Sequence, residues 1–136
     1  YFIIIIRRVG MSKKQEFYVY IGQLRKEFAL SDIAKKKNEN PDPNKHGLYV
    51  GSSSKPPRQR WEQHLNRVPN KKGKKNWSDI AADWGENYIH WKKFEDLNPL
   101  KTRPEAEKLE KELAIKFSGK GYATWSDQLP DLNKEE

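Results

Sequence analysis

The chain is 136 residues long and 35% hydrophobic, which suits one domain with a single modest core. Its aromatic residues, 12% of the total, argue against disorder, and its lack of cysteine excludes a disulfide framework and a cysteine metal site. The net charge of +8 predicts an anionic partner, with nucleic acid first and an acidic membrane surface second; a basic protein without such a partner is the plain alternative.

Residues 1–11 are predicted to be an N-terminal extension or an upstream-read segment, because Met11 and the polar residues after it read like an ordinary start. The alternative is a short extra strand at a sheet edge. No apolar run approaches the about 20 residues that span a bilayer, so we expect no membrane partner. The lack of cysteine fits a cytoplasmic location. Residues 12–128 are predicted to form the domain, and residues 129–136 a polar tail.

Aromatic and β-branched residues predict a first strand over residues 16–24 and a second over residues 47–51. The polar, lysine-rich segment between them ends in a cluster of turn formers at residues 40–44. It predicts a long loop inserted into a hairpin, with a helical turn around residues 30–37.

Pro56 and Pro57 suit the first turn of a helix, where missing N–H donors cost little. At 3.6 residues per turn this helix has an apolar face, and a basic stripe lies beside it. The apolar face carries Trp61, Leu65 and Val68. The basic stripe carries Arg60, His64 and Arg67.

Residues 69–76 predict a lysine-rich loop, which is either solvated or a rim that grips phosphate. A short helix over residues 78–84 follows, with Ser78 as its cap and Gly85 as its stop. Residues 88–94 are rich in aromatics and predict the third strand.

Thr102 and Glu105 predict a capping box at the start of the last helix. Glu110 falls inside the apolar arc of this helix, and a carboxylate there is costly unless a cation or a donor meets it. A lysine or arginine on a neighbouring element is one partner, and a metal ion is another. Residues 122–125 are interpreted as either a short final strand or a packed tail.

Five of these residues together suit a site for an anion and a divalent cation: Tyr20, Tyr49, Arg60, His64 and Glu110. Arg60 would neutralise phosphate charge, and Glu110 would hold Mg²⁺ or Mn²⁺. The metal would stabilise charge on the phosphate and the leaving oxygen, while a tyrosine or His64 orients or deprotonates water. Taken singly, each residue has an ordinary alternative: a half-buried strand tyrosine, a surface or capping histidine, or an arginine paired with Glu62.

The ordered motifs resemble the GIY-YIG nuclease family over residues 16–126. They are Tyr18-Val19-Tyr20, Leu48-Tyr49-Val50-Gly51-Ser52, Arg60 with His64, and Glu105-Ala106 with Leu109-Glu110. Leu97-Asn98-Pro99, Glu112-Leu113-Ala114 and the segment 121–125 are similar to small stand-alone members with a long first hairpin loop. The first motif departs from Gly-Ile-Tyr, the gap from Tyr20 to Tyr49 is long, and the late asparagine of some members has no clear match.

The resemblance implies an α+β fold with a three-stranded antiparallel sheet flanked by helices, and cleavage of DNA with one divalent metal. It assigns Tyr20 and Tyr49 to water activation and phosphate orientation, and Glu110 to the metal. Arg60 matches the catalytic arginine, and His64 matches a tyrosine-or-histidine position. Six further residues are expected to contact nucleic acid: Ser52, Arg67, Lys71, Lys72, Lys74 and Lys75.

We therefore expect a metal-dependent DNA endonuclease, with a protein partner as one source of specificity. A catalytically inactive nucleic-acid-binding module on the same fold is the alternative, and a basic protein-interaction domain is a third interpretation. DNA and RNA are not distinguished by these patterns.

Overall fold

The sheet is built around the antiparallel pair β1 (Tyr18–Leu24) and β2 (Gly47–Ser53), which match from Tyr18 opposite Ser53 to Leu24 opposite Gly47. The computed structural model describes residues 15–133. Almost every residue of the two strands is buried. Both strands therefore lie in the middle of the sheet, as their apolar composition predicts.

Two more strands complete a four-stranded mixed sheet, in the order β3-β1-β2-β4. β3 (Gly85–Ile89) pairs antiparallel with β1, whereas β4 (Thr124–Trp125) runs parallel to β2. The predicted α+β class and the antiparallel pairing of the first three strands are confirmed, but the prediction of a three-stranded antiparallel sheet is wrong because it lacks the fourth strand, which is parallel. A strand of two residues is too short to show a period-2 pattern, which is why the sequence left β4 undecided.

The third strand also lies earlier than its predicted span of residues 88–94. β3 ends at Ile89, and residues Trp91–Lys93 form a 3₁₀ turn. The aromatic residues of this segment are shared between strand and turn, so composition alone misplaced the boundary.

Within residues 15–133 four α-helices flank the sheet: α1 (Asp32–Lys37), α2 (Pro57–Leu65), α3 (Asp79–Trp84) and α4 (Arg103–Gly119). Further 3₁₀ turns span Lys26–Leu30 and Glu95–Leu97. In the part of the chain that the structure describes, no helix has the length and apolar character needed to cross a bilayer.

Local signals at the helix starts are confirmed. The Ser78 hydroxyl accepts the Ala81 N–H at the start of α3. Thr102 and Glu105 form the reciprocal capping box at the start of α4. The helical turn expected around residues 30–37 is α1.

The long insertion between β1 and β2 supports β4 through the buried side chain of Asn38. Its amide N–H groups donate to the carbonyls of Ala34 and Thr124, and its Oδ1 accepts from the Thr124 N–H and the Ser118 hydroxyl. Every hydrogen-bonding position of this amide is used, so the insertion is fixed to the sheet edge.

Two tyrosines and two glycines alternate on one face of the central strands. Tyr20 lies opposite Gly51, and Gly22 lies opposite Tyr49. The Tyr20 ring covers Gly51, where an added Cβ would sit 2.5 Å from the ring Cζ. The indole of Trp61, on α2, covers Gly22 just as closely. The absence of two side chains thus lets the aromatic rings lie flat on the sheet.

Both ends of the chain were predicted to lie outside the domain, as an N-terminal extension and a polar tail. The predicted extension, residues 1–11, and the last three residues lie outside the described residues. Before that end, Leu129 is buried, and the Leu132 N–H donates to the Lys36 carbonyl at 2.7 Å.

Candidate active site

A polar cavity of about 700 Å³ opens between the tyrosine-bearing face of the sheet, α2, the loop before α3, and α4. It brings together all five predicted catalytic residues: Tyr20, Tyr49, Arg60, His64 and Glu110. They come from β1, β2, α2 and α4, so only the folded chain assembles them.

His64 connects the sheet to the loop before α3. Its Nδ1 accepts the backbone N–H of Ser78 at 2.9 Å, so in the neutral ring the proton is on Nε2. Nε2 lies 2.9 Å from the Tyr20 hydroxyl and therefore donates to its oxygen. This arrangement fixes the histidine tautomer and leaves the hydroxyl hydrogen of Tyr20 for another partner.

Burial, with a smaller effect of the Arg60 charge, lowers the pKa of His64 to about 3. The ring is thus neutral near pH 7, and both of its nitrogens are engaged. The lone pair of the neutral ring, on Nδ1, already accepts the Ser78 N–H, so His64 has no unused lone pair with which to take a proton from water. In this geometry His64 is a donor to Tyr20, and Tyr20 faces the cavity.

The pKa of His64 predicts a loss of stability in mild acid. The unfolded chain binds a proton near pH 6.5, whereas the native ring does not until about pH 3. Stability is therefore fully present above pH 6.5 and falls as the pH is lowered, by about 2 kcal/mol between pH 7 and pH 5. Urea titrations at both values measure the change.

His64→Gln is expected to flatten that pH dependence, whatever its effect on stability at pH 7. His90, whose pKa burial and Lys93 lower to about 4, contributes with the same sign, so some slope remains in the variant. An unchanged slope in His64→Gln would show that the native ring already titrates near its ordinary pKa.

The two strand tyrosines are buried more completely than half-buried strand residues. Tyr20 is 2% exposed and Tyr49 is 4% exposed, and their rings stack with centroids 6.2 Å apart. Burial raises the pKa of both hydroxyls above the ordinary value, well above it for Tyr20. Both are therefore neutral phenols near pH 7.

Arg60 is held without a carboxylate. One guanidinium nitrogen donates to the Asn76 carbonyl at 2.8 Å and to the Gln63 side chain at 3.1 Å. No carboxylate in residues 15–133, that of Glu62 included, lies within 4.0 Å of it. The positive charge borders the cavity and is available to an anion.

Glu110 is 4% exposed, and hydroxyl groups meet both of its oxygens. Ser52, at the end of β2, donates to Oε1 at 2.7 Å, and Ser126, just after β4, donates to Oε2 at 2.5 Å. The partner that the sequence required is thus a pair of serines and not a lysine or arginine. Ser52, expected to contact nucleic acid, lies in the cavity wall and positions this carboxylate.

Burial raises the pKa of Glu110, and the two serine hydrogen bonds act in the opposite direction. The nearby carboxylates of Asp127 and Glu107, which also line the cavity, raise the pKa further. A divalent cation would relieve this repulsion as well as the cost of burial.

The donor set suits a hard divalent cation. Within residues 15–133 no three His, Cys, Asp or Glu side chains converge as a metal site. Mg²⁺ usually takes one or two carboxylates and keeps several waters. Glu110 and Asp127 both line the cavity, so its wall carries carboxylates of the kind that Mg²⁺ takes.

No family model matches the chain, and no curated protein or solved structure matches it. Its function is therefore argued from the cavity itself.

The residues expected to contact nucleic acid are not all brought together. Lys75 lines the cavity, where it pairs with Asp79 at 2.6 Å. Arg67 lies outside the cavity lining and pairs with Asp83 at 2.6 Å. The other three predicted lysines are on the exposed loop and do not line the cavity: Lys71, Lys72 and Lys74.

Several cavity residues carry no signal in the sequence that could have identified them. Ser126 and Asp127 follow a two-residue strand, and Arg103 precedes the proline in the first turn of α4. Their role depends on approach to residues far away in the chain. The one available hint is for Ser126: a buried carboxylate on α4 requires donors.

Proposed function

We propose that the chain is a divalent-metal-dependent endonuclease of the GIY-YIG type that hydrolyses phosphodiester bonds in DNA. The observation that carries the proposal is that one polar cavity contains three kinds of group. They are an arginine without a carboxylate partner, a carboxylate that accepts hydrogen bonds from serines, and a tyrosine that accepts a hydrogen bond from a neutral histidine. These are the groups needed to bind a phosphodiester, to hold a cation and to orient water.

Arg60 would bind the scissile phosphate. Two hydrogen bonds, to Gln63 and Asn76, occupy a single nitrogen of its guanidinium, and the remaining N–H donors are available to phosphate oxygens. Because the side chain is already fixed by these bonds, little conformational freedom is lost when the anion binds.

Glu110 would hold the cation, and its two serines keep the carboxylate in one orientation. When bound, Mg²⁺ or Mn²⁺ would stabilise the negative charge that develops on the phosphate and the leaving oxygen. Asp127, which also lines the cavity, would contribute a further oxygen, directly or through water.

Tyr20 would orient the attacking water. Its hydroxyl hydrogen is not used by His64, and its oxygen accepts the His64 Nε2–H at 2.9 Å. That bond would stabilise charge on the phenol oxygen as its proton moves. The Arg60 charge also acts against the rise in the Tyr20 pKa that burial causes. His64 acts here as a positioning residue.

A nucleic-acid-binding module without cleavage is the second candidate. The observation that favours it is the burial of Glu110, which is 4% exposed. Burial raises the pKa of this carboxylate and so disfavours the ionised form that binds a metal. The main proposal, by contrast, has DNA as its first substrate. In that proposal a protein partner supplies specificity, and the protein acts in the cytoplasm.

Nicking of supercoiled plasmid tests the proposal. With Mg²⁺ or Mn²⁺ we expect open-circular product, and with EDTA none, because the charge on the phosphate is then uncompensated. Branched DNA and a structured RNA, assayed in parallel, identify the preferred substrate. Metal-independent binding of all three without cutting would replace the nuclease with the binding module.

A further inference from the structure

A second, smaller cavity of about 210 Å³ adjoins the first. Its wall is formed by the serine run at residues 52–54, by Asn76, and by three basic side chains. These are Lys55, Arg60 and Arg103. We call this space the cation cavity because the charged side chains that line it are cations. Neither Lys55 nor Arg103 was expected to contact nucleic acid.

The charge of the cation cavity is uncompensated. All its ionisable lining groups are basic, whereas carboxylates line part of the larger cavity. In the described part of the chain no carboxylate comes within 4.0 Å of its three basic groups. By contrast, the nearby Lys75 already has Asp79 as its partner at 2.6 Å.

Both arginines are oriented by partners that leave their charge unneutralised. Arg60 donates to the Asn76 carbonyl. The guanidinium of Arg103 stacks over the Phe17 ring, 4.9 Å from its centroid. Both guanidinium groups are thus held at the wall of the cation cavity, and residues 52–54 and Asn76 form the rest of that wall.

The size suits a phosphate group. Water takes about 30 Å³ per molecule in the liquid, so the cavity has room for a tetrahedral anion and some of its hydration. The two cavities share Ser52, Arg60, Asn76 and Arg103, so anions bound in both would be close neighbours.

We propose that the cation cavity binds a second backbone phosphate, adjacent along the same strand to the phosphate at Arg60 and Glu110. The identification of the ligand as a nucleic-acid strand rests on the proposed function. The anion site itself rests only on the three basic side chains of the cation cavity. The protein then recognises two consecutive phosphates and selects a polynucleotide over an isolated phosphodiester.

Binding of labelled single-stranded DNA, followed by anisotropy in EDTA over a range of salt, tests the site without requiring cleavage. Arg103→Gln and Lys55→Gln are each expected to weaken binding about tenfold and to lower the salt slope by about 0.7. Lys92→Gln removes the same charge at an exposed position outside both cavities, and its slope should stay at the wild-type value.

A second measurement compares a dinucleotide that carries a 5′-phosphate with the same dinucleotide without it. Wild type should prefer the ligand with two phosphates, and Arg103→Gln should lose that preference. Equal affinities in wild type, or equal effects of Lys92→Gln and Arg103→Gln, would overturn the second phosphate site.

The outcomes separate this inference from the proposed function. Plasmid nicking together with an unchanged salt slope in Arg103→Gln and Lys55→Gln would retain the nuclease and overturn the second site. No nicking, together with the expected loss of binding and slope, would overturn the nuclease and support the phosphate site on a binding module.

Discussion

Glu110→Gln is expected to reduce metal-dependent cleavage by at least about 10³-fold while the fold is retained. A bound metal contributes several kcal/mol to the stabilisation of transition-state charge, and each 1.36 kcal/mol is a factor of ten in rate. The amide has nearly the shape of the carboxylate and can still hydrogen-bond Ser52 and Ser126, but it lacks the charge that holds a cation. Plasmid nicking and Mn²⁺ titration calorimetry measure the two losses.

The same substitution should leave stability at pH 7 equal or higher. Burial raises the native pKa of Glu110 above its unfolded value. The contribution of this group is therefore most favourable below the ordinary glutamate pKa and is lost as the pH rises through the native pKa. Glutamine has no charge to bury, so it avoids this cost, and urea midpoints compare the two proteins.

Glu112→Gln is the matched control, because Glu112 is exposed on the same helix and lines neither cavity. It should cut and bind Mn²⁺ like wild type. Full cleavage by Glu110→Gln would place the metal on another group, with Asp127 the next to replace.

Glu110 shows which features of the site can be predicted from the sequence. Helical periodicity placed its carboxylate on an apolar face, and that was enough to predict a partner. The identity of the partner was not predictable, because Ser52 and Ser126 come from strand ends that only the folded sheet brings to α4. Local sequence patterns thus identify a polar residue on an apolar face, whereas its hydrogen-bond partners are set by tertiary contacts.

The contacts of His64 were even less predictable from the sequence. Its spacing from Arg60 placed both on one helical edge, and both line the cavity. The group that fixes its tautomer is the backbone N–H of Ser78, and a backbone donor has no signature in the sequence. The sequence therefore could not show that both ring nitrogens of His64 are engaged.

The lysine-rich loop was harder to interpret, since a run of charges does not encode a direction. Lys75 borders the cavity and pairs with Asp79, while the charges left free beside the site belong to Lys55 and Arg103. These two stand alone in the sequence and become a cluster only where the end of β2 meets the start of α4.

Trp61→Ala is expected to destabilise the protein by about 3–5 kcal/mol, a large part of the about 5–15 kcal/mol available to a domain. The indole is fully buried, and its N–H donates to the Glu86 carbonyl at 2.9 Å. Its ring also packs 5.6 Å from Tyr49 and 6.2 Å from His64, measured between centroids. Urea unfolding followed by far-UV circular dichroism measures the loss independently of tryptophan emission.

Trp91→Ala removes an indole that is only partly buried and should cost clearly less. A loss below about 1 kcal/mol for Trp61→Ala would mean that neighbouring side chains close the space. Cleavage by the folded fraction of Trp61→Ala should also fall, because Tyr49 and His64 lose the surface that holds their rings.

Gly22 provides a test of the same contact from the other side. A Cβ on Gly22 would overlap the Trp61 indole, so Gly22→Ala alone should cost about 1–3 kcal/mol. In the Trp61→Ala background that space is open, and the same substitution should cost little. A coupling energy of at least about 1 kcal/mol in the double-mutant cycle would assign the glycine to this ring. Additive losses would mean that the strand needs Gly22 for its backbone and that the flat packing of the site's aromatic rings has another cause.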